Sequence, residues 1–521
     1  MASSIHSESK NEFKAGVEEL DRKSLDNDTN SNSSIEAFGI QPTKEEVEQK
    51  LTELAQKHDV NRRRLQLKVD ACVVIPISIL YLLAFLDRVN ISNAQVYGMS
   101  KDLHMTRDTQ YNTALVIFFV PYVLFEVPSN FVLKLLKPHV WLSFCIICFG
   151  GISIGQGFVQ NYGSLLVTRF FLGLMETAMF PGCFYLLSTW YRRDEAQKRY
   201  SFFFASTSLA GAFGGLIAYG MNSLDGKSGL EHWRWIFIVE GAITCFLGIV
   251  LFFVLPDFPE DAKFISNNER AYIKEKLSLD QGNSYHEGKL EWRRAAAVFK
   301  DVRLWLASLI YFGQIVGAYG YAYFATAIIK SFGYSPVKTQ VYSIFPWVVA
   351  CVSGVIIACF SDFFFHRYLF TLGTGLIAIA GFAILLGCEP TMIHARYGGC
   401  FLVALGLYSA MPLYICWTTM NFAGHYRKMV STAFIVQFGN VGGIVSTFIF
   451  LKTDAPRYTR GLSTSVALCA FSLVCAIVYL LYIMRENKLR KQGARDAAFE
   501  TLSEKDQALA GDLDPRFIYQ Y

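Results

Sequence analysis

The sequence predicts an all-α polytopic membrane protein of about twelve spanning helices in two six-helix halves. Three observations carry this. Hydrophobic residues make up 53% of the 521 residues and charged residues only 17%, against roughly 25% charged in soluble chains, and mean hydropathy is +0.30. Apolar runs approaching the ~20 residues that a spanning helix needs recur along the chain. One polar stretch, residues 256–302, divides them six and six. The same composition excludes a soluble multidomain enzyme and a globally disordered chain. Lys and Arg number 48 against 43 Asp and Glu, a net charge of +5, too mild a balance to indicate a nucleic-acid partner.

Residues 1–69 are expected to be a tail with one short amphipathic helix. The first 42 are rich in Ser, Asn, Asp, Glu and Lys and hold no signal peptide. Thr43 with Glu46 fits a capping box, and Val47, Leu51 and Leu54 share one helical face. The apolar segments follow at about 70–97, 111–134, 141–158, 163–190, 201–221 and 234–255, then 303–329, 339–361, 367–388, 396–421, 428–450 and 463–485. The first bundle is thus 70–255, the central loop 256–302, the second bundle 303–485 and the last tail 486–521. Basic residues collect at one set of helix ends: Arg62–Arg64, Lys134 and Lys137, Arg192 to Arg199, Arg367, Arg427, and Arg485 to Lys491. The excess of Lys and Arg on the cytoplasmic side predicts that both termini, the central loop and this rim are cytoplasmic. Paired six-helix halves are the pattern of secondary transporters. No GxxxxGK[ST] sequence accompanies them, which argues against an ATP-driven pump.

The 12 cysteines all lie in apolar stretches and read as core thiols. Cys145 and Cys148 form a CxxC without a second pair or a nearby His, so neither a metal nor a cofactor is expected. No His cluster or Ser/His/Asp arrangement marks an enzyme.

A charge inside lipid costs roughly 2.5–3.5 kcal/mol, so charges within the apolar runs are the first candidates for function. Asp87-Arg88 interrupts the first segment. The run before it, Ala71 to Leu86, rises only about 24 Å, short of the ~30 Å core, so the pair falls inside the membrane. Arg169 and Glu176 lie seven residues apart on one side of the fourth segment. Glu176 has almost nothing polar near it in sequence, the setting a proton-carrying carboxyl needs. The competing reading is a Glu permanently paired with an Arg. Tyr122 and Glu126 lie in the second segment. Glu240, at the end of the Trp233-Arg234-Trp235 turn, reads foremost as a structural anchor. Gln314, Tyr319, Tyr321 and Tyr323 in the seventh segment, with Trp417, Asn421, Gln437 and Asn440 in the tenth and eleventh, can line a midplane site or serve helix packing. Gly211, Gly214 and Gly215, and Gly439, Gly442 and Gly443, read as close packing or hinges. Ser361-Asp362 and Arg367 form a corner whose first-half counterpart is Pro128-Ser129-Asn130 with Lys134 and Lys137, a candidate gate latch.

Several motifs together resemble the anion:cation symporter family of the major facilitator superfamily. They are Leu86-Asp87-Arg88-Val89-Asn90-Ile91-Ser92-Asn93-Ala94, Phe125-Glu126-Val127-Pro128-Ser129-Asn130, Arg169-x-x-Leu172-Gly173-x-x-Glu176 with Pro181-Gly182, Trp233-Arg234-Trp235-x-Phe237-x-x-Glu240-Gly241, and Asp454-Ala455-Pro456-Arg457-Tyr458. Tyr323-Phe324 through Gly333-Tyr334 further resembles nicotinate-type members of the fungal allantoate/nicotinate permease branch. The resemblance implies the major facilitator fold and proton-coupled uptake of a small organic anion at the plasma membrane by a monomer. It implies that Arg88 contacts the substrate carboxylate and that Asp87 and Glu176 take part in proton coupling, with Arg169 as their charge partner. Some animal relatives carry a second Arg on the seventh helix. Gln314 and tyrosines stand there instead, which favours a monocarboxylate over a dicarboxylate. Allantoate, pantothenate, biotin, cysteine or a sulfonate also fit an Arg-centred pocket, and an exporter or a non-transporting nutrient sensor would share the fold.

Overall fold

The computed structural model describes residues 44–107, 109–281, 297–364, 366–423, 425–501, 511–515 and 517–521. The chain divides into a unit of residues 1–53 and a larger one of residues 54–521. In the first, the described part is the start of helix α1 (Lys44–Lys57), where Thr52 Oγ1 donates to Glu48 O at 2.8 Å. Thr43, the expected cap, lies outside the described residues.

The larger unit is all-helical in its described residues. Its long helices are α2 (Arg62–Val96), α3 (Thr109–Leu135), α4 (Pro138–Gly157), α5 (Tyr162–Trp190), α6 (Arg193–Gly220) and α7 (His232–Val254), then, after the short loop helix α8 (Asn267–Gln281), α9 (Val302–Lys330), α10 (Pro336–Phe364), α11 (Arg367–Gly387), α12 (Ile393–Met420), α13 (His425–Ile449) and α14 (Thr459–Lys491). Among the described residues, eleven helices are long and apolar enough to cross a membrane, and α3, with 27 residues, takes the second place in the order. Large side chains stand exposed on the outer faces, Phe246 and Phe253 on α7 and Leu376 on α11 among them. In water such a surface would drive aggregation; against lipid tails it costs nothing. This is a multi-pass membrane protein.

The described part of the tail after α14 and the starts of α9, α11 and α13 share one end of the larger unit, called here the terminal face; the other end is the far face. Three helices extend furthest beyond the sequence boundaries. Helix α2 begins at Arg62, with a π-helical turn at Asp70–Val74, α6 begins at Arg193, and α14 runs on to Lys491. Hydropathy marks only the apolar part of a helix, and all three extensions are polar. Helix α5 is broken into Tyr162–Glu176 and Met179–Trp190. Pro181 has no N–H to offer the carbonyl of Thr177, four residues earlier, and its ring crowds that turn. Thr177 and Ala178 between the two parts keep right-handed helical dihedrals, so α5 remains one span with a local interruption.

Helix α4 packs on α7, α3 on α5, and α6 and α7 on α2; later in the chain α11 packs on α12, and α9 on α13 and α14. The two sets meet where α6 lies on α10, α3 on α13 and α2 on α9. Small residues make this approach possible: a Cβ at Gly211 would lie 2.4 Å from the Trp347 ring of α10, and one at Gly443 would lie 2.6 Å from Phe119 of α3. At the far face, Lys330 Nζ donates to Val96 O at 2.6 Å and Asn112 Nδ2 donates to Phe450 O at 2.9 Å, while Phe324 stacks on Phe450.

The tail after α14 does not simply hang in solution. Asp512, fully buried, accepts from Arg303 Nη2 at 2.5 Å and from Arg427 Nε at 2.7 Å. Asp301 accepts from Arg427 Nη2 at 2.7 Å, so two guanidinium groups face two carboxylates. The Tyr519 ring lies under both Arg303 and Arg490, and Gln520 exchanges hydrogen bonds with Asn421 at 2.8 and 3.0 Å. This clasp ties α9, α12, α13 and α14 together. Asp512→Ala removes both of its ion pairs and leaves Arg303 and Arg427 with Asp301 alone, a loss of order 3 kcal/mol for a buried pair. The expected result is a lower unfolding temperature in detergent and a tail newly open to protease; an unchanged melt would refute the clasp. Burial pushes the Asp301 carboxyl up, but Arg303 and Arg427 outweigh it and hold it below the ordinary aspartate range. Its contribution is therefore present at neutral pH and is lost only as pH falls below ~3.9 toward the folded value.

Candidate substrate and coupling site

Helix α2 is buried on nearly all sides from Ile77 to Ala94. Asp87 stands nine residues before its far-face end, about 14 Å by the helical rise, close to mid-depth of a ~30 Å core. Arg88 beside it is 2% exposed. Its guanidinium forks: Nη2 forms a salt bridge with Glu176 Oε1 on α5, and Nη1 donates to Tyr319 OH on α9. Around it stand the rings of Phe118 at 5.1 Å, Tyr122 at 5.3 Å, Tyr319 at 5.5 Å and Phe85 at 5.8 Å. An arginine in such a cage has its charge stabilised on two sides, by a carboxylate and by π-faces. Glu176 is 0% exposed, and its Oε2 has no hydrogen-bond partner among the described residues. The break in α5 directly follows it.

The heptad spacing places Arg169 and Glu176 on one side of α5, and both do point inward, but to different partners. Glu176 pairs with Arg88 of another helix. Arg169, 1% exposed, faces Asp87 of α2 and Glu240 of α7, with Tyr111 and Tyr323 also against it. Asp87 accepts from Ser153 Oγ of α4 at 2.8 Å. Charge is thus spread over two adjoining groups, Arg88 with Glu176 and Arg169 with Asp87 and Glu240, at the meeting of α2, α4, α5, α7 and α9.

Of the predicted substrate residues, the structure brings Arg88, Tyr122 and Tyr319 together. Asn440 of α13 lies against Glu126 of α3, a second contact across the two sets of helices. Gln314 stands apart: it donates to Tyr414 OH at 3.3 Å, on the α12 side of α9. Trp417 also stands apart, at the terminal face, where Nε1 donates to Gln520 O of the tail at 3.2 Å. Of the latch residues, Ser361 Oγ is buried without a partner among the described residues, and the side chain of Asp362 lies outside the description. Arg367 sits by Met420, and its backbone N–H donates to Tyr521 O at 3.3 Å. Phe118 and Ser153 were not singled out by sequence reasoning. A Phe in an apolar run and a Ser in a small-residue helix carry no local signal.

On the far-face side of this cluster a cavity of about 70 Å³ opens between the two sets of helices, lined by Ser92, Gln95, Arg107, Asn112, Tyr323 and Tyr458 among others. Tyr111 and Tyr323 both line the cavity and face Arg169, so these two side chains stand between the vestibule and the charges. Among the described residues no group of His, Cys, Asp and Glu is arranged to hold a metal ion.

Residues 77–447 match the family model described as Major Facilitator Superfamily. The chain is 35% identical over 470 residues to the high-affinity nicotinic acid transporter of Saccharomyces cerevisiae, covering 89% of this chain and 86% of that one. It is 31% identical over 449 residues to the MFS-type transporter cnsO of Penicillium expansum, covering 84% and 86%. Among solved structures, a bacterial homolog of the human lysosomal transporter Spinster, in an inward-facing unoccupied conformation, matches with a TM-score of 0.60 at 16% identity, covering 78% of this chain and 96% of that one. The proton:xylose symporter XylE matches with a TM-score of 0.60 at 15% identity, covering 78% and 95%. At such identities these two speak to the fold alone.

Proposed function

Because the chain belongs to the Major Facilitator Superfamily and is a transporter rather than an enzyme, we propose that it takes up a small organic monocarboxylate, nicotinate foremost, together with a proton. The observation that carries this reading is the Arg88–Glu176 salt bridge inside an aromatic cage. A substrate carboxylate must compete with Glu176 for the same guanidinium fork. Protonation of Glu176 removes the competitor, so a proton and a carboxylate anion are favoured together, which is the thermodynamic meaning of symport. The flat faces of Phe118, Tyr122 and Tyr319 suit an aromatic ring. The nicotinic acid transporter at 35% identity supports this substrate, and the lone arginine in the cage supports one carboxylate rather than two. The two sets of helices then rock about this point, opening the site to the terminal face. Residues 70–255 and 303–485 are the moving bundles in this reading, with the loop and both tails cytoplasmic, in the plasma membrane.

The test is uptake of labelled nicotinate in an uptake-deficient yeast strain expressing the chain, with and without a proton uncoupler. The expected result is accumulation that the uncoupler abolishes. Uptake indifferent to the uncoupler would overturn the proton coupling. No nicotinate uptake, with growth rescued by allantoate, pantothenate, biotin, cysteine or a sulfonate, would move the substrate assignment; faster loss of preloaded substrate would indicate an exporter.

A further inference from the structure

Glu240 is a carboxyl group for which the competition at Arg88 has no task. It lies on α7 at 0% exposure, and neither of its oxygens has a hydrogen-bond donor among the described residues. It faces Asp87, 2% exposed, and the two carboxyl groups lie within hydrogen-bonding reach of each other. Asp87 Oδ1 is taken by Ser153 Oγ; its Oδ2 has no donor among the described residues. A carboxylate oxygen accepts and never donates, so two of them in contact away from water repel unless a proton lies between. The groups facing the pair are Arg169 and Glu176 of α5, Ser153 of α4 and Cys245 of α7. Only Arg169 among them is a cation, and its Nε and Nη2 are buried without hydrogen-bond partners among the described residues.

The charges of these two adjoining groups, with Glu126 set apart from them against Asn440, lead to the same place. Arg88 and Arg169 are two cations; Asp87, Glu176 and Glu240 are three carboxyl groups. One shared proton makes the set neutral, and without it a net negative charge stays buried at mid-depth, a state that low dielectric penalises heavily. We infer that Asp87 and Glu240 form a dyad sharing one proton, with Arg169 as its counter-charge, so that Glu240 is a third member of the proton-coupling machinery acting through Asp87. The inference rests on the proton-coupled reading for its role in transport, but the shared proton itself can be detected without transport. The arrangement follows the general rule for close carboxyl pairs, which titrate as a unit.

The experiment is infrared spectroscopy of the purified protein at neutral pH, reading the carbonyl stretch of protonated carboxyl groups. Replacing either member by its amide leaves the other as a lone carboxylate beside Arg169, so Glu240→Gln and Asp87→Asn are each expected to remove the same band completely. Glu240→Asp, which keeps two carboxyl groups, is expected to retain it and serves as the folding control. Loss in only one of the two amide variants, or in neither, would overturn the dyad. Uptake then tests its role: both amide variants are expected to show the same altered pH profile. An unaltered profile in Glu240→Gln would return Glu240 to a structural anchor. Indifference of the unmutated protein to uncoupler would refute proton-coupled uptake, whatever the infrared result.

Discussion

Glu176→Gln is expected to abolish pH-driven accumulation while sparing exchange of substrate across the membrane. The amide keeps the shape and most of the packing of the side chain in a site that is 0% exposed, but it neither takes up a proton nor holds a negative charge against Arg88. Arg88 is then permanently free for a carboxylate, as it is in the protonated state of the unmutated protein. A pH difference of one unit is worth 1.36 kcal/mol per proton, so one-proton symport of a monoanion accumulates substrate about tenfold per unit of pH. The variant should show a ratio near one at any pH difference, with counterflow at rates comparable to the unmutated protein. Full pH-driven accumulation in Glu176→Gln would assign the transported proton elsewhere.

The helices were legible because the signal for a spanning segment is local: each needs only its own apolar run. Where structure depends on a single position inside the run, hydropathy is blind. The stretch 163–190 reads as one span and is one, Tyr162–Trp190, but its hydrogen-bond ladder is interrupted at Thr177–Ala178 ahead of Pro181, just after Glu176. The tail clasp was illegible for the opposite reason. Asp512 stands in a polar segment, and its partners Arg303 and Arg427 are 209 and 85 residues away. Nothing in the neighbourhood of Asp512 announces a buried acid.

The charged residues of the site were legible because the cost of charge in lipid singles out Asp87, Arg88, Arg169 and Glu176 against their apolar surroundings. Their pairing was not. Heptad spacing puts Arg169 and Glu176 on one side of α5 but does not say which helices lie opposite each turn, and the answer differs for the two: α2 and α9 through Arg88 at Glu176, α2 and α7 at Arg169. The same limit explains Gln314 and Trp417. Both are polar or aromatic groups in apolar helices, as Tyr319 is, but helix rotation and depth turn Gln314 toward Tyr414 and Trp417 toward the tail.

Arg88→Lys is expected to weaken substrate binding tenfold to a hundredfold, with a smaller effect on the maximal rate. The Arg88 side chain makes two directed bonds at once, to Glu176 and to the Tyr319 hydroxyl, from two nitrogens of one plane. An ammonium keeps the charge but is a single point on a flexible stem, so it can follow a carboxylate or the tyrosine but not hold both in register. A hydrogen bond to a charged group contributes about 1.5–3 kcal/mol, which is the stated range of affinity at 1.4 kcal/mol per decade. Truncation to Ala is the less informative change, because it strands Glu176 without its cation and costs folding as well as binding. Lysine leaves that pair partly in place, and proton-driven accumulation should survive at saturating substrate. Combined with Glu176→Gln, the loss should be non-additive: once the amide has removed the competitor, the lysine needs to serve only the substrate, so its penalty in affinity should shrink. An affinity of Arg88→Lys equal to that of the unmutated protein would remove Arg88 as the carboxylate's partner, and additivity of the two substitutions would mean that Glu176 and the substrate do not compete for it.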